Sequence, residues 1–284
     1  MSEQRLGVIG AGQMGAGIAQ VAAQAGLSVS VTDVNDERLS SGRTAIAGSL
    51  ARLVKKQQLT AEQADEVQSR LTWSTHIDAH QDCPFIVEAV PENEELKAGI
   101  LTAVERVCGA HTILASNTSS ISITRLAAHL QRPEQFIGMH FMNPVPVMEL
   151  VEVIRGAATS DAVCETTLKL AQQLGKQTTV ASDYPGFLSN RILMPMINEA
   201  FYTLMEGVGT AEDIDRTMTL GMRHPLGPLA LADLIGLETC LSIMEILHTQ
   251  LGDSKYRPCP LLRRYVAAGW LGRKSGRGVF TYGE

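Results

Sequence analysis

Two side chains able to transfer protons lie 12 residues apart in apolar surroundings. His140 lies at the end of the apolar run 136–141, and Glu152 lies inside the apolar run 150–154. A carboxylate in an apolar strand is costly unless it is paired. The Pro-Val-Pro turn at 144–146 could fold the two runs side by side, so that the carboxylate orients the imidazole and stabilises its protonated form. The presence of a histidine and a carboxylate in neighbouring apolar runs predicts a general base suited to neutral pH, although either residue alone could be structural.

A glycine-rich turn near residue 10 has the spacing of a phosphate cradle. It follows an apolar strand predicted over 5–10 and precedes a helix predicted over 13–25, which is the context that G-x-G-x-x-G requires. The first glycine permits a tight turn, the second admits a pyrophosphate and the third lets helix and strand pack closely. The phosphates would lie at the helix N-terminus. The motif consists of Gly10, Ala11, Gly12, Gln13, Met14 and Gly15.

Asp33 closes the next predicted strand, 18 residues beyond Gly15. A carboxylate there can accept both ribose hydroxyls of NAD and would repel a 2′-phosphate. The alternative is a turn-forming aspartate, since Asn35 and Asp36 follow. In the full strand–helix–strand context the sequence predicts NAD as cofactor, and Arg38 leaves use of NADP open.

The elements that must position these residues change in character near Tyr184. Strands and helices alternate before it, and the pattern is helical after it. Residues 35–70 interrupt the alternation with apolar residues at helical spacing, and Thr60 and Gln63 fit a capping box. We predict an α/β fold class. A Rossmann-type NAD-binding domain with a helical-hairpin insertion would cover residues 1–183, and an all-helical C-terminal domain would cover 184–284. Within this pattern we predict strands at 28–34, 71–74, 85–90, 112–116, 136–141, 150–154 and 178–181 and helices at 93–108, 160–174, 187–206, 211–220, 229–249 and 260–268.

Composition excludes several classes of protein. The 284 residues are 45% hydrophobic and carry a net charge of −6, which disfavours a nucleic-acid binder. No apolar run is long enough for a membrane span, no leader segment precedes the first strand, and five scattered cysteines lack metal-ligand spacing. We therefore expect no metal site and a cytoplasmic location.

The charge is unevenly distributed. Residues 1–183 hold 14 basic and 20 acidic residues, whereas 184–284 hold 10 of each. Within the acidic part, the window 38–61 on the predicted insertion holds five basic residues and no acidic one. This window can be a solvated helix face or a landing site for an anionic ligand.

Long ordered segments carry a resemblance to the L-3-hydroxyacyl-CoA dehydrogenases, closest to the short bacterial 3-hydroxybutyryl-CoA dehydrogenases. The resemblance covers essentially the whole chain. Its segments are GAGQMGAGIAQ at 10–20, VEAVPENEELK at 87–97, SNTSS at 116–120, GMHFMNPVPVMELVEVI at 138–154, PGFLSNRI at 185–192 and GRKSGRGVF at 272–280.

The resemblance implies a role for individual residues. His140 would be the catalytic base, Glu152 its paired carboxylate, and Asn190 an active-site amide. Ser119 would lie between the nicotinamide and the substrate and would touch both. Further residues would line the NAD site or touch coenzyme A: for NAD, Glu92, Lys97, Asn117, Asn143 and Lys274; for coenzyme A, Ser49 and Lys56.

The resulting hypothesis is a reversible NAD-dependent oxidation of (3S)-3-hydroxyacyl-CoA, 3-hydroxybutyryl-CoA by default, as in fatty acid β-oxidation. A 3-hydroxyadipyl-CoA dehydrogenase and an L-gulonate-type dehydrogenase for a non-CoA hydroxy acid stay open as alternatives. A non-catalytic NAD-binding protein is a third alternative, against which the complete catalytic set argues. The resemblance also implies an acyl-CoA partner and a C-terminal domain that serves substrate binding and forms a homodimer. The net charge and the lack of a long apolar run predict no nucleic-acid or membrane partner.

Overall fold

The computed structural model describes residues 5–283, which form two compact units that adjoin in sequence between Tyr184 and Pro185. The first unit is built on strands and helices in alternation. The second is built from helices.

A single sheet organises the first unit. Its strands are β1 (Arg5–Ile9), β2 (Ser28–Thr32), β3 (Leu71–Ser74), β4 (Phe85–Glu88), β5 (Ile113–Ser116), β6 (Phe136–Phe141), β7 (Leu150–Arg155) and β8 (Gln177–Ser182). The spatial order is β3-β2-β1-β4-β5-β6-β7-β8. All neighbouring pairs are parallel except β6 and β7, which are antiparallel. The order reverses between β1 and β4, the point at which such sheets open a ligand crevice.

Six α-helices flank this sheet in the part of the chain described. They are α1 (Gln13–Gln24), α2 (Asp36–Lys55), α3 (Ala61–Ser69), α4 (Glu94–Val107), α5 (Ile123–Ala127) and α6 (Asp161–Gln173). Small residues let α1 approach the strands closely, and Ile18 packs with Val8 and Val31 in the first core. The predicted α/β class with a Rossmann-type first unit is confirmed, with strand ends shifted by one or two residues.

The helical insertion consists of α2 and α3. Asn35 caps α2 by accepting from the N–H of Arg38. The predicted capping box on α3 is present, because Thr60 and Gln63 exchange both hydrogen bonds. Leu39, Ile46 and Leu50 bury one stripe of α2 in the first core, so its other faces carry the polar and basic residues.

The second unit contains its own core. Its α-helices within the described residues are α7 (Ser189–Met205), α8 (Ala211–Arg216), α9 (Pro228–Ile235), α10 (Leu237–Leu251) and α11 (Pro260–Ala267). Met194, Phe201, Leu229 and Leu247 are among its fully buried side chains.

Two helix predictions in the second unit are wrong in detail. The helix predicted over 211–220 is α-helical only to Arg216 and continues as a π-helical turn over Thr217–Gly221. The helix predicted over 229–249 is divided at Gly236, which has φ of 104°. A side chain is disfavoured at that dihedral, so this glycine ends α9 and redirects the chain into α10.

No helix within residues 5–283 has the length and apolar character needed to cross a membrane.

His80 is a buried titratable group beneath the first two strands. Its side chain is fully buried, and Nε2 lies 2.8 Å from the hydroxyl of Thr32. Nδ1 has no hydrogen-bond partner among the described residues and packs against Gly7. Burial lowers the pKa of His80 from 6.5 to about 4, because the charged form loses its hydration.

This burial predicts a pH dependence of stability. The folded-state pKa lies below the unfolded value, so the unfolded chain binds the proton first as pH falls. The first unit should therefore lose up to about 3 kcal/mol of unfolding free energy between pH 6.5 and pH 4. Urea unfolding followed by Trp73 fluorescence, with Trp270→Phe as common background, measures it. His80→Gln should show a shallower slope over this window; equal slopes would contradict the prediction.

Candidate active site

The glycine turn between β1 and α1 is a tight bend that only glycine permits. Gly10 has φ of 103°, and its N–H donates to the carbonyl of Thr32 at 2.7 Å. A Cβ on Gly15 would lie 1.8 Å from the carbonyl oxygen of Gly10. The close approach of α1 to the turn therefore requires both glycines.

The N-terminus of α1 can receive an anionic group. Gly12 is the N-cap residue, no side chain caps the helix, and a Cβ on Gly12 would meet no described atom within 4 Å. The first-turn N–H groups and the helix dipole favour a phosphate there. Ala11 is buried, Gln13 is exposed, and Met14 packs on the first core.

Asp33 joins the glycine turn to the end of β2. Its Oδ2 accepts from the N–H of Ala11 at 2.7 Å, and its Oδ1 accepts from the N–H of Val34 at 2.7 Å. The carboxylate is half-buried at the carboxyl end of the strand, the position from which it can accept ribose hydroxyls. The turn, the helix N-terminus and this carboxylate together fit a dinucleotide without a 2′-phosphate.

His140 and Glu152 face each other across the antiparallel pair of strands. They are register partners, and His140 Nδ1 lies 2.9 Å from Glu152 Oε2. Glu152 is 1% exposed, among side chains such as Val151 and Val153 that are completely buried. An unpaired carboxylate in such a place would be unfavourable by several kcal/mol, and the imidazole of His140 supplies a partner. The bond orients the ring with Nδ1–H toward the carboxylate.

The loop between β6 and β7 is held at several points. Gln13 Nε2 donates to Asn143 Oδ1 at 3.0 Å, and a Cβ on Gly17 would lie 2.8 Å from the Cβ of Val145. The ammonium of Lys176 donates to the carbonyls of Val145 and Met148 at 2.6 and 2.8 Å. The loop thereby links the strand of the histidine to helix α1 of the cofactor site.

Lys176 is a cation that the protein encloses. It is 9% exposed, and burial lowers the pKa of its ammonium, an effect that the Glu149 carboxylate opposes. Its hydrogen bonds to two carbonyls of the β6–β7 loop compensate for the burial of the ammonium.

The segment 116–120 after β5 converges on one carboxylate oxygen. Glu92 Oε1 accepts from the amide of Ser119 at 2.9 Å, from that of Ser120 at 3.0 Å and from the hydroxyls of Thr118, Ser119 and Ser120. In the same segment, Asn117 Oδ1 accepts from the N–H of Phe141 at 2.8 Å. These bonds fix the backbone that carries Ser119 and tie it to the strand of the catalytic histidine candidate.

A buried ion pair between Lys97 and Glu88 lies next to Glu92. The ammonium of Lys97 is 1% exposed and donates to Glu88 Oε1 at 2.7 Å and to the carbonyl of Val90 at 3.0 Å. It also lies 3.5 Å from Glu92 Oε2. Glu88 is fully buried and accepts from the hydroxyl of Ser116 at 2.6 Å. The ammonium of Lys97 is therefore occupied by other groups of the protein. Among its carboxylate partners, Glu92 is the one whose side chain is partly exposed at the site.

Ser49 and Lys56 lie on the insertion, seven residues apart and so on one side of α2 and its C-cap. Ser49 is half-buried and Lys56 is exposed. Arg52 and Lys55 extend the exposed basic surface, whereas the guanidinium of Arg43 stacks on Trp73.

Asn190 and Lys274 belong to the second unit. Asn190 is 8% exposed in the first turn of α7. Lys274 is exposed and forms an ion pair with Glu238 of α10. Their roles stay predictions.

Reasoning from the sequence missed Glu88 and Lys176. Glu88 carries the same signal as Glu152, a carboxylate at the end of an apolar strand, with a lysine nine residues later. Lys176 follows a helix-ending glycine and gives no such signal. No group of three His, Cys, Asp or Glu side chains among residues 5–283 could hold a metal ion.

Family models match both units. The model described as 3-hydroxyacyl-CoA dehydrogenase, NAD binding domain, matches residues 5–184, and the model described as 3-hydroxyacyl-CoA dehydrogenase, C-terminal domain, matches residues 186–282.

Individual relatives match over nearly their whole length. The chain is 57% identical over 279 residues to a protein of Bradyrhizobium diazoefficiens named 3-hydroxybutyryl-CoA dehydrogenase, covering 98% of this chain and 95% of the relative. It is 54% identical to a probable 3-hydroxybutyryl-CoA dehydrogenase of Bacillus subtilis, covering 100% and 99%. The crystal structure of (S)-3-hydroxybutyryl-CoA dehydrogenase from Ralstonia eutropha superposes with a TM-score of 0.97 at 50% identity, covering 100% of both chains.

Proposed function

The chain belongs to the 3-hydroxyacyl-CoA dehydrogenase family, and from this premise we propose that it interconverts (3S)-3-hydroxybutyryl-CoA and acetoacetyl-CoA with His140 and Glu152 as the proton-transfer pair. Membership makes it an NAD-dependent oxidoreductase acting on 3-hydroxyacyl-CoA. Family membership alone does not specify the four-carbon acyl chain, the His140–Glu152 proton-transfer pair or the reversibility of the reaction. The names of the three relatives described above support the four-carbon substrate.

The observation that carries the mechanism is the buried contact between His140 and Glu152. Because Nδ1–H is donated to the carboxylate, Nε2 is the ring nitrogen that would take the proton of the C3 hydroxyl. Glu152 would then stabilise the imidazolium, as a buried carboxylate does for a cation at 2.9 Å. In the reverse direction the imidazolium would return the proton to the keto oxygen.

When bound, NAD supplies the hydride acceptor. The residues suited to hold it are the glycine turn, Asp33 at the ribose, and the segment with Asn117 and Ser119. Orientation and charge stabilisation supplied by fixed groups would provide much of the rate enhancement. The hydroxyl of Ser119 and, by resemblance, the amide of Asn190 would fix the reacting oxygen.

The proposal is tested by kinetics of the wild type and of His140→Gln. The wild type should oxidise NADH, followed by its absorbance, when acetoacetyl-CoA is added. His140→Gln should lower kcat by about 10²-fold or more because the proton has no acceptor, while NAD still binds.

His111→Gln, at an exposed histidine of the same unit, is the matched control and should keep wild-type turnover. Near-normal kcat in His140→Gln would contradict the assigned base. Turnover of 3-hydroxyadipyl-CoA, or of free 3-hydroxy acids, that is faster than turnover of 3-hydroxybutyryl-CoA would contradict the four-carbon acyl-CoA substrate.

Coenzyme A is the second anionic partner that the site must accept. We infer that its phosphates contact the exposed basic side of α2 at Lys56, with Ser49 beside it. This surface is basic although the first unit as a whole is acidic. Basic side chains attract phosphates locally even where the overall charge is negative.

Lys56→Glu should therefore raise KM for acetoacetyl-CoA about 5-fold, since an exposed attraction becomes a repulsion of similar size. The KM for NADH should stay unchanged. Lys169→Glu, which changes charge equally on the exposed side of α6, is the control. An unchanged KM for acetoacetyl-CoA in Lys56→Glu would favour a solvated helix face.

We also propose that two copies associate through the second unit. An open cavity of about 540 Å³ there is lined in part by the apolar side chains of Met196, Val208, Ile214 and Met218 and in part by polar ones. Val208 and Leu220 are 74% and 77% exposed. Contact of these apolar side chains with water is unfavourable, and burial against a second copy would remove it.

Light scattering should then give about twice the chain mass of 30.6 kDa for the wild type. Val208→Lys with Leu220→Glu should shift the protein toward the single-chain mass. Val34→Lys removes a side chain that is 79% exposed in the first unit and should leave the mass unchanged. A wild type of single-chain mass would contradict the dimer.

A further inference from the structure

Three charged side chains beside the glycine turn do not cancel one another. Glu88 and Glu92 are two carboxylates, and Lys97 is the one ammonium between them. The ammonium is 2.7 Å from Glu88 and 3.5 Å from Glu92, so it is more closely committed to the buried carboxylate. The cluster therefore retains one negative charge.

That remaining charge lies on Glu92. Lys97 and Glu88 have side chains 1% and 0% exposed, whereas the side chain of Glu92 is 37% exposed. The further partners of Glu92 are amides and hydroxyls of residues 118–120, which are neutral. Burial raises the pKa of Glu92, but the Lys97 ammonium and these donors outweigh it and hold that pKa below its usual value. Glu92 is therefore ionised at neutral pH.

The position of Glu92 is set by the order of the strands. It follows β4, the neighbour of β1 across the point where the order reverses, and a Cβ on Gly10 would meet the carbonyl of Ala89 at 2.7 Å. Such reversal points open the crevice for a dinucleotide. Glu92 also accepts from the amide of Ser119, the residue that by resemblance lies next to the nicotinamide.

We propose that Glu92 discriminates between the two redox states of the cofactor. The nicotinamide ring is cationic in NAD⁺ and neutral in NADH, so a nearby carboxylate whose charge Lys97 offsets only in part stabilises the oxidised form selectively. Hydrogen bonds that merely shape the site would act on both forms alike. The inference rests on NAD binding, and it is independent of acyl-chain length and of the role of His140.

Glu92→Gln tests the inference because the amide keeps one acceptor oxygen for residues 118–120 and removes the negative charge. Dissociation constants for NADH, from its fluorescence, and for NAD⁺, from competition, give the ratio Kd(NAD⁺)/Kd(NADH). Glu92→Gln should raise this ratio about tenfold, the effect expected for two unit charges about 10 Å apart at an effective dielectric constant of about 20. Glu92→Ser is a second neutral variant with the same expected direction.

Two controls separate charge from shape. Glu92→Asp keeps the charge and should keep the wild-type ratio even where both affinities fall. Glu95→Gln removes a charge from an exposed position in the first turn of α4 and should also leave the ratio unchanged.

An unchanged ratio in both neutral variants would overturn the inference, as would a ratio in Glu92→Asp equal to that in Glu92→Gln. Both results would leave the dehydrogenase assignment intact, because the proteins would still bind the cofactor. A wild type that binds neither NAD⁺ nor NADH would contradict the assignment itself.

Discussion

A carboxylate buried in a sheet must have a donor or a cation beside it, and two carboxylates of this sheet obey that constraint in different ways. Glu152 in β7 is paired with a histidine, and Glu88 at the end of β4 is paired with a lysine and a serine. Leaving either without its partner would be unfavourable by several kcal/mol. The register of β6 against β7 and the approach of α4 to β4 therefore follow partly from the need to satisfy these two groups.

The direction of β7 determines what the pairing of Glu152 can do. If β6 and β7 were parallel, a crossover would separate the two residues; their antiparallel pairing needs only a short loop. That loop is attached to α1 through Asn143 and Val145 and to the α6–β8 connection through Lys176. The glycine turn, α1 and the strand of His140 are therefore connected through the contacts of this loop.

Local rules predicted much of this arrangement. Twelve residues and a Pro-x-Pro turn between His140 and Glu152 are enough to suggest a strand pair, and Thr60 with Gln63 signals the start of α3 without tertiary information. The division at Gly236 was missed because apolar periodicity continues across a glycine whose φ depends on its tertiary surroundings. Lys176 was missed for a related reason, since its carbonyl partners lie 28 and 31 residues away.

The acidic first unit can accept an anionic dinucleotide because the groups suited to its phosphates are backbone N–H groups and a helix dipole, neither of which adds formal charge. Lys97, the cation that resemblance assigns to this site, is buried and committed to Glu88. Formal charge then remains at the ends of two strands, with Asp33 after β2 and Glu92 after β4. Both are carboxylates, and each would discriminate between forms of the cofactor through its negative charge. The first would repel a 2′-phosphate, and the second would attract the cationic ring of NAD⁺ more strongly than the neutral ring of NADH. Phosphate binding by additional lysines would weaken both effects, because each further cation would offset more of the carboxylate charge that makes the distinction.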